Sequence, residues 1–411
     1  MSIKQVVLKI PAVYWKVLYF VVAIIVCWIE AQGRSDFTIY KMASRDLVNG
    51  ICPYSHSYID GYYYYYSLFF AYLIYPFTLL SEFSSTFIWL MINAVLLYFI
   101  IIEIYNFLYL NQFDKEKRFL IIGLIILFSM RTIRENFHSA QVTILMLFLM
   151  LYSLKYLLQE KYLLSGLFLS LAINIKLLAL PLMAYYLYRG LWKVVFWGCV
   201  FLVLLYFFPL IIMDKNFYGL CMHEWWALVN PSNDKHLIDV EERSFHSITT
   251  LITTLFMKNP PDIYALPIRR YIVDLSVEHV KWIIQLVRIL LISSVILVIR
   301  QLPFQKFKNQ YELFFEFSYV LALIPLIFPH QQHYAFLLQM PAIGILIYHW
   351  INGKIPKWMR AFLIAIFLCF NLKILLGVWN EYYDHFKILT YGGLLVIGLL
   401  IKQSFDLMEK V

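Results

Sequence analysis

Charge is scarce in this chain of 411 residues, since Asp, Glu, Lys and Arg together make up 14% of it. A soluble domain carries about 25%. So little polar surface cannot solvate a globule of this size, which excludes a soluble protein and makes lipid the solvent for most of the chain. The net charge of +9 is therefore no sign of nucleic-acid binding, because Lys and Arg in membrane proteins collect in short cytoplasmic connectors.

Motifs for nucleotide and zinc chemistry are also missing. The chain has no GxxxxGK[ST] loop, no GxGxxG turn after a strand and no HExxH, so ATP hydrolysis and dinucleotide redox chemistry are unsupported. Its five cysteines show no CxxC or Cys/His spacing, which argues against a zinc site. Two of them, Cys52 and Cys221, fall on the predicted outer side, where they either stay free or pair in an oxidising compartment.

Apolar runs of spanning or near-spanning length fill most of the chain. Each must be helical, because lipid offers the backbone no hydrogen-bond partners. A further aromatic run at 62–80 contains Pro76 and either crosses the membrane, lies at the interface or re-enters. The other runs lie at about 12–31, 85–109, 119–131, 140–158, 162–175, 177–189, 193–213, 282–300, 312–329, 334–351, 359–378 and 388–402.

Basic residues decide how the run at 62–80 lies. If it stays at the surface and the N-terminus is inside, 18 of the 34 basic residues fall in inside connectors, as the positive-inside rule expects. If it crosses, these residues lie outside. We therefore predict about 12 crossings, cytoplasmic termini, one transmembrane domain over 1–411, and outer loops at 32–84 and 214–280. The inside residues are Lys4, Lys9, Lys16, Lys115, Lys117, Arg118, Lys155, Lys161, Arg189, Lys193, Arg300, Lys306, Lys308, Lys354, Lys357, Arg360, Lys402 and Lys410.

Asp36 follows the first predicted span. The stretch 37–49 after it reads as a short amphipathic helix, on which Asp36 and Tyr40 share a face. A carboxylate in this position serves either as a general base or as the N-cap that opens the helix.

Three cationic positions stand out on the same side. Lys176 interrupts the apolar stretch 162–188; a cation among apolar residues marks a functional site, unless it snorkels to the outer headgroups. Arg131 and Arg134 belong, with Gln141, to a polar cluster between two apolar runs. A guanidinium suits phosphate, and the alternative is an interfacial turn with snorkelling cations.

Histidines and a glutamate complete the outer candidates. His330 and His333 are three residues apart and share a helical face, where they bind metal or phosphate, or act as capping or interfacial residues. Two ligands alone do not make a metal site, so we predict none. Glu224 and His246 lie in the long outer loop, where each fits a solvated residue as well as a ligand. The same holds for Asp384 in a later connector.

Taken in order, these segments resemble the family 87 glycosyltransferases of the GT-C class, the polyprenyl-phosphate-mannose-dependent α-mannosyltransferases and their relatives. The chain departs from the family pattern where Ala140 replaces a Gly and Phe245-His246 replaces Asn-Gln. The matching segments are Asp36-Phe37-Thr38-Ile39-Tyr40, Gly50-Ile51-Cys52-Pro53-Tyr54, the run 62–80, Leu171-Ala172-Ile173-Asn174-Ile175-Lys176 and Gln332-His333-Tyr334.

The resemblance implies an all-α GT-C bundle with juxtamembrane helices in the first outer loop. It also implies a hexosyltransferase, mannosyl-type, that moves a sugar from polyprenyl phosphate to a lipid- or glycan-linked acceptor, with Asp36 as the base. Such an enzyme would lie in a bacterial inner membrane and face the periplasm, without a required metal. The donor phosphate would meet Lys176, Arg131, Arg134 and His333; further candidates are Tyr40, Gln141, His246, His330 and Glu224.

Two other functions remain open at this point. A lipid or polysaccharide transporter would move its substrate without covalent chemistry, and intramembrane cations also mark transport paths. Repeated halves or broken helices in matching positions are typical of transporters, and the sequence shows neither. A ligase or polymerase that uses diphosphate-linked glycans would share the outer cations, and only the identity of the donor separates it from the first interpretation.

Overall fold

The structure, a computed structural model, describes residues 11–230, 238, 244–258, 260, 265–305 and 307–408. Within these ranges it is helical, and strand-like pairing is confined to one isolated bridge between Phe245 and Gln332. The all-α prediction is confirmed. Four of the basic residues used to orient the chain lie outside the described residues: Lys4, Lys9, Lys306 and Lys410.

The described residues form seventeen α-helices, numbered here in chain order: α1 (Ala12–Glu30), α2 (Asp36–Val48), α3 (Leu68–Ile74), α4 (Glu82–Phe107), α5 (Lys115–His138), α6 (Thr143–Leu158), α7 (Tyr162–Ile175), α8 (Leu180–Tyr188), α9 (Trp192–Phe207), α10 (Lys215–Val229), α11 (Ile248–Phe256), α12 (Val277–Ile299), α13 (Gln310–Ile327), α14 (Met340–Ile351), α15 (Lys357–Asn371), α16 (Asn380–His385) and α17 (Ile388–Met408). Short 3₁₀ segments occupy Ile59–Gly61, Tyr75–Leu79, Leu110–Gln112, Leu177–Ala179, Phe208–Ile211, His333–Gln339, Leu372–Ile374 and Gly377–Trp379.

The chain divides into two compact units, and the first contains residues up to 122 together with Arg134–Leu177 and Phe196–Val229. In this unit α6 packs along α7, α4 packs on α1 and α6, and α2 packs on α3. Gly166 brings α7 close to α9, since a Cβ there would meet the backbone nitrogen of Gly198 at 2.7 Å. Ser170 uses this approach to donate a hydrogen bond to the Gly198 carbonyl at 2.8 Å.

The second unit contains Gly123–Ile133, Leu178–Val195 and the chain from Asn230 onward. Its centre is α13, which is buried on every side from Leu313 to Leu326. That helix packs on α8, α11, α12, α14 and α17, which explains why it is apolar all round. On α17, Gly392 permits close contact with α15, because a Cβ there would lie 2.6 Å from the Cβ of Cys369.

Helix length tests the predicted number of spans. Seven helices in the described ranges are long and apolar enough to cross a membrane, or eight if the bent pair Lys357–Ile374 and Gly377–His385 is one span. The chain is an integral membrane protein, but the count of about 12 is not confirmed. The seven are Val13–Glu30, Glu82–Phe107, Trp192–Ile211, Val277–Ile299, Gln310–Ile327, His333–Ile351 and Ile388–Asp406.

Short helices account for three of the unmatched spans, and the predicted span at 119–131 lies in α5, which is not among the candidate spans. Thr143–Leu158, Tyr162–Ile175 and Leu177–Tyr188 are apolar but have 10–17 residues, whereas a span needs about 20. The ambiguous run at 62–80 forms a short apolar helix over Leu68–Leu79, whose length of roughly 20 Å falls short of a hydrocarbon core of about 30 Å. A surface position for this run fits its length. The outer loops at 32–84 and 214–280 and the single domain over 1–411 stay predictions.

Candidate active site

Asp36 is the first residue of α2, in the first unit. Its carboxylate accepts a hydrogen bond from the side-chain amide of Gln141, which lies just before α6. Asp36 is half-buried, and its carboxylate is oriented by a neutral donor 105 residues away in the chain. An oriented carboxylate of this kind is suited to accept a proton from a substrate.

Two tyrosines extend the same network. Tyr40 lies one turn after Asp36 on α2, and its hydroxyl donates to Oε1 of Gln141 at 3.0 Å. The hydroxyl of Tyr66 lies 2.9 Å from that of Tyr40 and 3.4 Å from the same amide oxygen. The predicted common face of Asp36 and Tyr40 is confirmed, and both tyrosine side chains are buried. Gln141 is thus locked by two donors while it holds the carboxylate.

The backbone before Gln141 gives this glutamine its position. The N–H of Asp36 donates to the carbonyl of Ser139 at 3.2 Å, which ties the start of α2 to the end of α5. Ala140 follows with φ of 47°, a left-handed conformation that favours glycine. Its carbonyl accepts a hydrogen bond from the indole of Trp89 at 2.9 Å. This conformation explains why the resembling family has a glycine where this chain has Ala140.

Lys176 lies in a break between α7 and α8, outside the candidate spanning helices. Its backbone is extended, with φ of −151° and ψ of 129°, and Pro181 in the first turn of α8 supports a new helix start. The ammonium lies 5.6 Å from the centroid of the Tyr66 ring. Burial lowers the pKa of Lys176 to about 8, and the charge of Asp36 acts in the opposite direction. Lys176 thus belongs to the same network as Asp36.

A second polar cluster lies in the other unit and centres on Asp384 in α16. Nζ of Lys373 lies 2.6 Å from Oδ2 of this carboxylate and 3.3 Å from Nε2 of His333. Oδ1 faces Nε2 of His246 at 3.3 Å and Nε2 of His333 at 3.7 Å. The cluster is largely buried, so the Lys373 ammonium compensates the charge of Asp384 inside the protein.

The donor atoms of His246, His333 and Asp384 lie within 4.8 Å of one another, a grouping that offers three ligand atoms to a metal ion. One observation favours a hydrogen-bonded network instead. Lys373 already places a cation against the carboxylate. Burial lowers the pKa of His246 well below its usual value, while its hydrogen bond to Asp384 works the other way. The imidazole is therefore neutral, the form that can either donate a hydrogen bond to the carboxylate or bind a metal ion.

Arg131 belongs to the same unit as this cluster. Its side chain is 1% exposed, and the guanidinium lies 4.6 Å from the centroid of the Tyr383 ring, next to Asp384 in the sequence. Asn371 fixes its backbone: the N–H of Arg131 donates to Oδ1 of Asn371 at 3.2 Å. Arg131 and His333, both predicted to bind phosphate, thus lie in the second unit together with Lys373.

The contacts of three other candidates involve different residues. The Arg134 side chain is 59% exposed and lies 3.9 Å from Glu135. His330 has φ of 55° and packs its ring against Phe245 at 5.3 Å. Glu224 lies on α10, 3.7 Å from His223. Their predicted roles stay predictions.

Sequence reasoning missed three residues of these clusters. Lys373 lies inside the apolar run 359–378, so the argument applied to Lys176 could have found it. Asp384 was noted only as a solvated connector residue. Tyr66 is one of five consecutive tyrosines, and only the fold shows that it is buried beside Tyr40 while its neighbour Tyr65 is exposed.

Comparison with known families adds an independent observation. Residues 64–329 match the sequence model of glycosyltransferase family 87, which is about two-thirds of the chain. The chain belongs to glycosyltransferase family 87. No curated protein gave a match. The family 87 region includes Tyr66, Gln141 and Lys176, whereas Asp36 precedes it and His333 follows it.

The protein is therefore a membrane glycosyltransferase. As a family 87 enzyme it transfers a sugar from a donor to an acceptor, which confirms the predicted enzyme class. An all-helical membrane chain with an oriented carboxylate and a neighbouring ammonium agrees with that chemistry, since glycosyl transfer needs a proton acceptor and compensation of the leaving group's charge.

Proposed function

We propose that this glycosyltransferase moves a hexosyl group, mannosyl-type, from polyprenyl phosphate to a hydroxyl of a lipid- or glycan-linked acceptor. The observation that carries the proposal is the network in the first unit. There the Asp36 carboxylate is held by Gln141, and the Lys176 ammonium lies over the ring of Tyr66 in the same group of residues. One group is placed to take a proton, and the other carries the charge that a departing phosphate needs.

The proposed reaction is an inverting displacement. The acceptor oxygen attacks the anomeric carbon, a new carbon–oxygen bond forms, and the bond to the donor phosphate breaks. The hydroxyl proton passes to the carboxylate of Asp36, and the electron pair leaves with polyprenyl phosphate. Lys176 offsets the charge that develops on this leaving group, so that the chemistry does not require a metal ion.

The basic residues of the second unit support a further anion-binding role. Arg131 and His333 are kept as donor-phosphate ligands, and we add Lys373 because it contacts both Asp384 and His333. Arg134, in the first unit, is kept as a predicted phosphate ligand. A phosphate that approaches Lys373 would compete with Asp384 for its ammonium, which links substrate binding to this buried pair.

The side of the membrane is part of the proposal. The 18 basic residues predicted in inside connectors support a position of Asp36, Lys176 and His333 on the opposite, outer side. For a bacterial inner membrane this is the periplasmic face, where lipid-linked sugars and envelope glycans are available. Cysteine labelling of single-cysteine variants at outer and inner connectors, with an impermeant maleimide, measures this orientation directly.

Incubation of the purified protein with a radiolabelled polyprenyl-phosphate mannose tests the reaction. Release of polyprenyl phosphate together with label in the acceptor supports transfer. Donor that stays intact while it changes leaflet in proteoliposomes indicates transport and contradicts the proposal. Label transferred only from a diphosphate-linked glycan indicates a ligase or polymerase.

A further inference from the structure

Cys52 and Cys221 are far apart in sequence but meet in the first unit. Cys52 lies in the segment after α2 and is 5% exposed, and Cys221 lies on α10 and is 0% exposed. Tyr54 and Met222, which neighbour them in the sequence, line one cavity. The two thiols are close enough to share a hydrogen bond, and both are reduced in this structure. Two buried thiols in contact have no bulk solvent between them.

The other cysteines differ in location. All five are described, and Cys27, Cys199 and Cys369 lie within helices that are candidate spans or part of the bent pair. Cys52 and Cys221 are the two that lie outside those helices, and they are the two that meet. Both also belong to the predicted outer side, where compartments are oxidising.

The chain around Cys52 is built to hold it in place. Gly50 ends α2 with φ of 76°, and the N–H of Ile51 returns to the carbonyl of Asp46 at 2.8 Å. Two residues beyond Cys52, the hydroxyl of Tyr54 donates to the carbonyl of Tyr66 at 2.7 Å. A constraint on Cys52 is therefore passed to Tyr66, whose hydroxyl lies beside Gln141.

We propose that Cys52 and Cys221 form a disulfide bond on the outer side of the membrane, which ties the segment before Tyr66 to α10. This rests on the orientation given under the proposed function, not on the identity of the sugar. The bond stabilises the position of Tyr66 in the Asp36 network. Without the bond, packing alone would hold this irregular segment in place.

The oxidation is a thiol–disulfide exchange with a disulfide-bearing thiol oxidant. One cysteine thiolate attacks the disulfide of the oxidant and forms a mixed disulfide with it. The second cysteine then attacks the sulfur of the first cysteine and expels the reduced oxidant. The two protons and two electrons of the cysteine thiols end on the oxidant, whose disulfide becomes two thiols. The hydrogen bond from Cys221 lowers the pKa of Cys52 to about 7, whereas the same contact raises that of Cys221. In the folded protein Cys52 is thus the more acidic of the two thiols. Because both thiols are buried there, the exchange precedes the packing of α10, when either cysteine can attack first.

Thiol trapping on the full-length protein tests the bond. Native membranes are quenched in acid, free thiols are blocked with a maleimide, and the protein is digested without reductant for mass spectrometry. We expect one linked peptide pair containing Cys52 and Cys221, two hydrogens lighter than the separate peptides and lost on reduction. Both peptides carrying the maleimide would overturn the proposal, and this measurement needs no variant that might fail to fold.

Variants connect the bond to its effect. Cys52→Ser and Cys221→Ser should each expose one new reactive thiol, and each should lower the thermal midpoint in detergent by a few degrees. Cys199→Ser, on the exposed side of α9, is the matched control and should leave the linked pair and the midpoint unchanged. Free thiols in an enzyme that still transfers sugar would refute the disulfide alone, whereas a linked pair in an inactive protein would count against the proposed reaction alone.

Discussion

Replacement of Asp36 by Asn isolates the proton transfer from the fold. The Asn side chain keeps an oxygen that can accept the hydrogen bond from Gln141, so the contact seen in the structure survives. Loss of one negative charge in the first turn of α2 costs about 0.3–1 kcal/mol of stability. Removal of a general base should slow transfer by about 10²–10⁴-fold. This corresponds to about 2.7–5.5 kcal/mol in transition-state free energy.

The assay measures initial rates of sugar transfer from polyprenyl-phosphate mannose by the purified variant, together with its thermal midpoint. Asp46→Asn is the matched control on the same helix, since Asp46 accepts hydrogen bonds from His56 at 3.1 Å and Tyr58 at 2.9 Å, away from Gln141. We expect the control to keep its rate within about threefold. A folded Asp36→Asn enzyme with near-normal turnover would refute the assignment of Asp36 as the base.

Three further predictions concern charge. Lys176→Met should slow transfer by about 10²–10³-fold. Wild-type activity should also fall as the pH rises through about 8, where Lys176 loses its proton. An active Lys176→Arg enzyme should not show this fall. The same pH profile in both enzymes would contradict the role of the Lys176 charge. Asp384→Asn leaves Lys373 without its carboxylate in a largely buried cluster and should lower stability by about 3 kcal/mol. The control Asp406→Asn breaks a half-exposed ion pair and should cost about 0–1 kcal/mol. Equal shifts of the melting temperature in the two variants would contradict this. EDTA should leave transfer intact, and a loss restored by Mn²⁺ would instead indicate that transfer needs a metal ion.

Helical membrane architecture followed directly from composition, because a lipid-embedded backbone must satisfy its own hydrogen bonds. The number of spans did not follow from composition, because an apolar run indicates a buried segment but not the length of the helix that it forms. The runs at 162–175 and 177–189 were each predicted as a crossing, but in the structure they are the short helices Tyr162–Ile175 and Leu177–Tyr188. Hydropathy cannot distinguish a lipid-facing span from a short helix enclosed by protein.

A site residue was predictable from the sequence where its neighbours in the chain already show that burying it costs free energy. Lys176 was identified because a cation among apolar residues is expensive wherever its helix packs. Asp384 was not, because its sequence neighbours are polar and nothing local marks it as buried. Only the packing of α16 brings it to Lys373, His246 and His333.

The sequence by itself determined the solvent of this protein, its helical class and its membership of glycosyltransferase family 87, since these depend on composition and on motifs read along the chain. Only the tertiary structure decided which polar side chains meet. Asp36 and Gln141 are 105 residues apart, and their contact depends on the backbone of Ser139 and the left-handed turn at Ala140. Such contacts arise from the rotation and register of packed helices, which local sequence patterns do not encode.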